Sequence, residues 1–270
     1  MRIIFDRFKN GCKCALTFSY DDGNVADRRL VEIFNKYGMK ATFHLNSARL
    51  GRDGSIKAEE VKKLYAGHEV SCHMVNHPHP TRIPFASVAA EIMNDRRALE
   101  SACGYVVRGM SYPYGSHNED VITVLRACGM EYSRTTRATE WFAPPDDFMY
   151  WHPTCHHRNP KLHELFDKFV TPNHHAPLQI MNVWGHSYEF DQSDNWHIIE
   201  DFCKYATGHD NVWYATNIEI CDYINAVRRL AVSVDGDVVH NPSGVDVWAT
   251  VNDECVKIPA GSTVSFRKDI

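Results

Sequence analysis

Two carboxylates stand side by side in Leu16-Thr17-Phe18-Ser19-Tyr20-Asp21-Asp22-Gly23, at the end of an apolar run that reads as a strand. Adjacent side chains at a strand end point in different directions, so one can ligate a cation while the other faces a substrate. The same pair also fits a turn in which an Asp caps the helix that follows. Further along, Ser71-Cys72-His73-Met74-Val75-Asn76-His77-Pro78 spaces two histidines four positions apart. On one helical turn, such imidazoles share a divalent ion at about 2.0–2.1 Å each. With 16 histidines in the chain, that spacing alone is weak. Joined to Asp22 it becomes two imidazoles and a carboxylate with coordination positions left open for water and substrate, as a catalytic metal site needs.

Two further segments suit such a centre. The turn Ser111-Tyr112-Pro113-Tyr114-Gly115 can aim a backbone N–H at a developing oxyanion, although a turn of this composition is by itself an ordinary loop. The apolar run Leu178 to Gly185 ends in His186, placed to serve as a general acid, although a lone histidine after a strand is commonly structural.

Positioning these residues requires a parallel sheet, whose strand C-termini are where sites are built. From residue 13 to about 228, short apolar runs alternate with amphipathic stretches, the pattern of βα units. Strands are predicted at Cys14–Ser19, Ala41–Leu45, Glu69–Cys72, Val106–Ser111, Glu131–Arg134, Gln179–Trp184 and Val212–Ala215. Helices are predicted over Asn24–Tyr37, Ser87–Ala102, Asn118–Cys128, Asp194–Ala206 and Asn217–Arg229, the first four followed closely by a glycine and the last capped at Thr216 or Asn217. After Leu230, turn signals at Asp235-Gly236, Asn241-Pro242 and Asn252-Asp253 break the chain into four or five short strands. Two units are therefore expected: a catalytic βα domain over 1–229 and a β appendage over 230–270, too small to hold a core alone and so packed on the first.

Composition narrows the partners. The net charge of −5, with Lys and Arg scattered, gives no footprint for nucleic acid. No long apolar stretch suits a membrane, and the first fourteen residues are too polar for a signal peptide, so a cytoplasmic location is expected. Nine cysteines without a CxxC pair point to reduced thiols rather than a disulfide framework or thiolate zinc site. Nothing in the sequence speaks to oligomeric state.

The ordered motifs resemble carbohydrate esterase family 4, the NodB-like polysaccharide deacetylases. Phe18-Ser19-Tyr20-Asp21-Asp22-Gly23 is similar to the family's Thr-Phe-Asp-Asp-Gly-like first motif, His73, His77 and Pro78 to its His-x3-His-Pro, Tyr112-Pro113-Tyr114-Gly115 to most of its Arg-x-Pro-Tyr-Gly, and His186 to the histidine of its fifth. The resemblance implies a distorted (β/α)7-type barrel that removes N- or O-acetyl groups from a carbohydrate. It further implies Asp22, His73 and His77 as ligands of one divalent metal, zinc first, with cobalt, nickel, manganese or iron also compatible. Asp21 would be the base, His186 the acid and the Tyr114 amide an oxyanion donor. Two departures stand out. Ser111 replaces the motif arginine that orients the base, a place Arg134 or Arg108 can take, and the fourth motif has no clean counterpart. Tyr112, Trp141, Trp151, Trp184, His156 and Glu189 are candidates for a sugar-binding cleft, each equally readable as packing. The same ligands also fit a hydrolase of ureides or cyclic amides, and the absent arginine fits a non-catalytic sugar binder.

Overall fold

A computed structural model describes residues 2–171 and 178–267. In chain order the elements are β1 (Ile3–Arg7), β2 (Cys14–Asp21), α1 (Asp27–Lys36), β3 (Ala41–Leu45), α2 (Ala58–Leu64), β4 (Glu69–Cys72), α3 (Phe85–Cys103), β5 (Gly109–Ser111), α4 (Glu119–Ala127) and β6 (Tyr132–Arg134). There follow β7 (Cys155–His156), α5 (Leu162–Val170), β8 (Gln179–His186), α6 (Tyr188–Ser193), α7 (His197–Ala206), β9 (Val212–Tyr214) and α8 (Asn217–Arg228). The tail adds β10 (Ala231–Val232), β11 (Val238–His240), β12 (Val247–Val251), β13 (Glu254–Ile258) and β14 (Thr263–Ser265).

Strands β2 to β9 form one parallel sheet in the order β6-β5-β4-β3-β2-β8-β7, with β9 against β2. Every residue of β2 is buried, as expected of a strand covered on both faces. Four strand spacings separate β6 from β2, roughly 19 Å if the sheet were flat. Yet Arg134 on β6 donates from Nη2 to Asp21 Oδ1 on β2 at 2.5 Å, and Tyr132 Oη donates to Glu69 Oε1 on β4 at 2.8 Å. The sheet must therefore curl, which is the distorted (β/α) barrel. On the outer side of β6, Arg134 forms an isolated parallel bridge with Trp151, in the segment that leads to β7.

Local chemistry sets the helix ends. Thr216 accepts from the Glu219 amide while the Glu219 carboxylate accepts from Thr216 N at 2.8 Å, so the cap of α8 falls on Thr216. Gly104, at φ +85, ends α3 in the left-handed conformation that glycine adopts at least cost.

Several boundaries differ from expectation. The fourth predicted strand begins at Gly109 rather than Val106, which is 61% exposed. Asn24–Tyr37 and Asp194–Ala206 shorten to α1 and α7. Helices α2, α5 and α6 were not expected, and neither was β1, which pairs antiparallel with β12 of the tail. Val247 of β12 shares a buried cluster with Phe8, Tyr223 and Ile224, and Tyr223 Oη donates to Arg7 O at 2.8 Å while accepting from Trp248 N at 3.0 Å. Among the described residues, no helix is long and apolar enough to cross a membrane.

Candidate active site

Asp21 closes β2 and Asp22 follows it at φ +83, turning its carboxylate away from its neighbour's. His73 Nε2 and His77 Nε2 each lie 3.9 Å from Asp22 Oδ1, and all three ligand atoms fall within 4.8 Å of one another. The route to this convergence differs from the expected helical turn. Residues 73–79 are irregular, with Met74 and His77 left-handed at φ +62 and +55. Such conformations persist where the surroundings over-determine them, and here they do. Asn46 Nδ2 donates to the His73 and Met74 carbonyls at 2.6 and 2.9 Å, the fully buried Asp95 accepts from His73 N at 3.0 Å and Ser47 N at 2.8 Å, and Glu91 holds Asn76.

The donor set fits a divalent cation. His73 Nδ1 is 2.8 Å from the Ser111 carbonyl, which can only accept, so Nδ1 carries the proton and the Nε2 lone pair faces Asp22. Burial holds His73 below the ordinary histidine range and brings His77 down to about 4, so both rings are neutral as ligation requires. Asp22 Oδ1 is buried without a hydrogen-bond partner among the described residues. Arg49 Nη1 lies 3.7 Å from that oxygen, beyond hydrogen-bond reach, so a cation held directly by Asp22 and the two imidazoles would satisfy it.

Asp21 is held differently. Burial alone would raise its pKa, but the Arg134 guanidinium beside it outweighs that and keeps the carboxyl far below the usual range. Arg134 is fully buried, contacts both Asp21 oxygens, donates from Nε to Ser19 Oγ at 2.8 Å and from Nη1 to Thr135 O at 3.0 Å, and lies 4.7 Å above the Trp184 ring. Of the two arginines considered for the missing motif position, Arg134 is the one at Asp21. Arg108 instead pairs with Asp222 and Glu131. Ser111 is not a passive replacement either: its Oγ donates to Asp21 Oδ1 at 3.0 Å and sits 2.7 Å from His73 Nδ1, tying the carboxylate to the ligand loop.

Register brings His186 beside Asp21, since β8 pairs with β2 from Cys14 to the Asp21–His186 step. Burial disfavours its charged form, but Glu189, Asp21 and Asp22 reverse this and the His186 pKa is raised. Glu189 Oε1 lies 3.7 Å from His186 Nδ1, and its Oε2 lies 3.1 Å from His156 Nε2 and 3.2 Å from His157 Nε2. His157, fully buried, was not singled out by the sequence. The Tyr114 ring packs 4.4 Å from that of His77, and its backbone is left-handed at φ +58.

The expected sugar cleft is only partly assembled. Tyr112 is a core residue, 1% exposed, its hydroxyl donating to Met149 O at 2.9 Å, because the chain turns it inward before Pro113. Trp141, 76% exposed, rims a separate cleft of about 340 Å³ with Thr139, Asp147, Tyr150 and His152, which holds none of the ligand residues. Trp151 is buried beside it. Trp184 is half-buried beneath Arg134, and His156 and Glu189 are engaged with each other.

The family profile for polysaccharide deacetylases matches residues 9–133, the stretch that carries Asp21, Asp22, His73, His77 and the 111–115 turn. Over this stretch, a little under half of the chain, the protein is similar to the polysaccharide deacetylase family. Among curated relatives of that family, a chitooligosaccharide deacetylase from Bradyrhizobium is 27% identical over 49% of this chain and 57% of its own length. A peptidoglycan-N-acetylglucosamine deacetylase from Listeria monocytogenes is 29% identical over 42% of this chain and 24% of its own. The matched part thus spans about half or less of these relatives. Solved structures share the deacetylase fold: one from Mycobacterium smegmatis assigned to the polysaccharide deacetylases has a TM-score of 0.61 at 14% identity, covering 83% of this chain and 94% of that one. A family 4 carbohydrate esterase from Streptomyces lividans, solved with acetate, gives 0.50 at 17% identity, covering 76% and 93%.

Proposed function

We propose that this chain is a metal-dependent deacetylase of N-acetylated saccharides. What carries the proposal is the convergence of Asp22, His73 and His77 on one point, with the ionised Asp21 beside them and His186 across the β2–β8 pair. The names of both relatives, a chitooligosaccharide deacetylase and a peptidoglycan-N-acetylglucosamine deacetylase, favour N-acetyl over O-acetyl groups.

Asp22, His73 and His77 would hold the ion, and zinc suits two imidazoles and a carboxylate. Bound there, it supplies Lewis-acid polarisation and makes water more acidic. Asp21, fixed by Arg134 and Ser111, accepts the proton of the attacking water. A carboxylate held so low is a weak base, so its part is an ionised acceptor of fixed orientation rather than a strong one. The backbone amide of Tyr114 stabilises the oxyanion, and His186 protonates the departing amine.

The test is acetate release from N-acetylchitooligosaccharides by metal-loaded protein, wild type against Asp21→Asn. Wild-type release, with loss of about two orders of magnitude or more in kcat for the variant at unchanged metal content, is expected. Turnover retained by Asp21→Asn would reject Asp21 as the base, and no acetate from any acetylated sugar would reject the activity.

A further inference from the structure

We infer that His156, His186 and Glu189 form a second divalent-cation site whose occupancy switches off the proposed acid. His156, His186 and Glu189 each offer one ligand atom, and the three atoms lie within 4.8 Å of one another. Tetrahedral ligands held at about 2.0–2.1 Å from zinc sit roughly 3.3 Å apart. Glu189 Oε2 lies 3.1 Å from His156 Nε2 and its Oε1 3.7 Å from His186 Nδ1, so each ring meets one oxygen of the carboxylate at a separation near that value.

Three observations point to a cation rather than to a satisfied polar cluster. His186 Nδ1 is buried with no hydrogen-bond partner among the described residues. His157 Nε2, equally orphaned on a ring with no exposure, lies 3.2 Å from the same carboxylate and stands ready as a further donor. The ion pairs of Glu189 among the described residues are all with histidines and none with lysine or arginine. One contact must yield: Arg158 N donates to His156 Nδ1 at 3.2 Å, and ligation at Nε2 moves the ring proton to Nδ1. A single long hydrogen bond on a half-exposed ring is a small loss against three metal–ligand bonds.

Binding at this site does not depend on the deacetylase proposal, whereas its consequence does. An ion on Nδ1 of His186 prevents the imidazolium from forming, so the ring no longer delivers a proton and regains one in each cycle. Zinc in excess of one equivalent therefore inhibits.

Calorimetric titration of chelator-treated protein with zinc tests the inference. Wild type should take up two equivalents, Asp22→Ala one, and Asp22→Ala combined with His156→Ala none. Glu189→Gln, which keeps shape and volume, should lose the same equivalent as His156→Ala, and zinc inhibition should disappear in His156→Ala whatever its own rate. Asp22→Ala that binds no zinc, or a second equivalent that survives both His156→Ala and Glu189→Gln, overturns the site. A single wild-type equivalent kept by Asp22→Ala and lost by His156→Ala upholds it while rejecting the ligand set at Asp22.

Discussion

Replacing Arg134 by methionine keeps most of the side-chain volume and removes the charge opposite Asp21. Arg134 is 0% and Asp21 3% exposed, so solvent cannot take over the role of the guanidinium. What remains for the carboxylate is the Ser111 hydroxyl at 3.0 Å. Removing one partner of a buried pair costs about 3–5 kcal/mol, which is a large share of the roughly 5–15 kcal/mol that stabilises a domain. At about 2–4 °C per kcal/mol, this lowers Tm by roughly 6–20 °C. The effect depends on pH in a defined sense. Because the Asp21 pKa is depressed in the folded protein, the pair contributes fully above the unfolded value of about 3.9, and the contribution is lost as pH falls through the folded value. The gap between wild type and Arg134→Met should therefore be largest near pH 7 and narrow toward acid pH, as measured by thermal or urea melts of metal-free protein. Asp21→Asn added to Arg134→Met removes the stranded charge and should recover at least half the loss. A single variant within about 1 kcal/mol of wild type at pH 7, or a double variant that loses the sum of the two singles, would refute the electrostatic account of Arg134.

Glu69 is fully buried, and burial pushes its pKa up to about 7 despite hydrogen bonds from Ile218 N, Thr42 and Tyr132. The fold therefore binds this proton more tightly than the unfolded chain does, and wild type should gain roughly 2–3 kcal/mol relative to Glu69→Gln between pH 8 and pH 5 in parallel melts; a constant difference rules this out. Gly185→Ala places a Cβ 2.0 Å from His157 Nδ1 on a fully buried ring with no room to retreat, and should cost about 1–3 kcal/mol in denaturant unfolding, whereas an unchanged midpoint shows that the ring moves freely. Asp22→Ala should lose the equivalent of metal held with His73 and His77 by elemental analysis, with Asp21→Asn as the control that keeps it; equal metal in both contradicts the ligand set.

Periodicity and chain order were enough to reveal the parallel βα architecture and the motifs at Asp21-Asp22, His73/His77 and His186, because each is encoded within a few consecutive residues. Helix α2 spans only seven residues, too few turns to stand out as periodic, and β1 is recognisable only through its pairing with β12. The curl of the sheet decided the rest. It brought Arg134 rather than Arg108 to Asp21 across four strand spacings, turned Tyr112 into the core, and gathered Ser111, Asp95 and His157 around groups far from them in sequence. A motif fixes which side chains can perform the chemistry because it is local. Their charge states and partners depend on burial and on contacts between distant segments, which exist only once the sheet has closed around them.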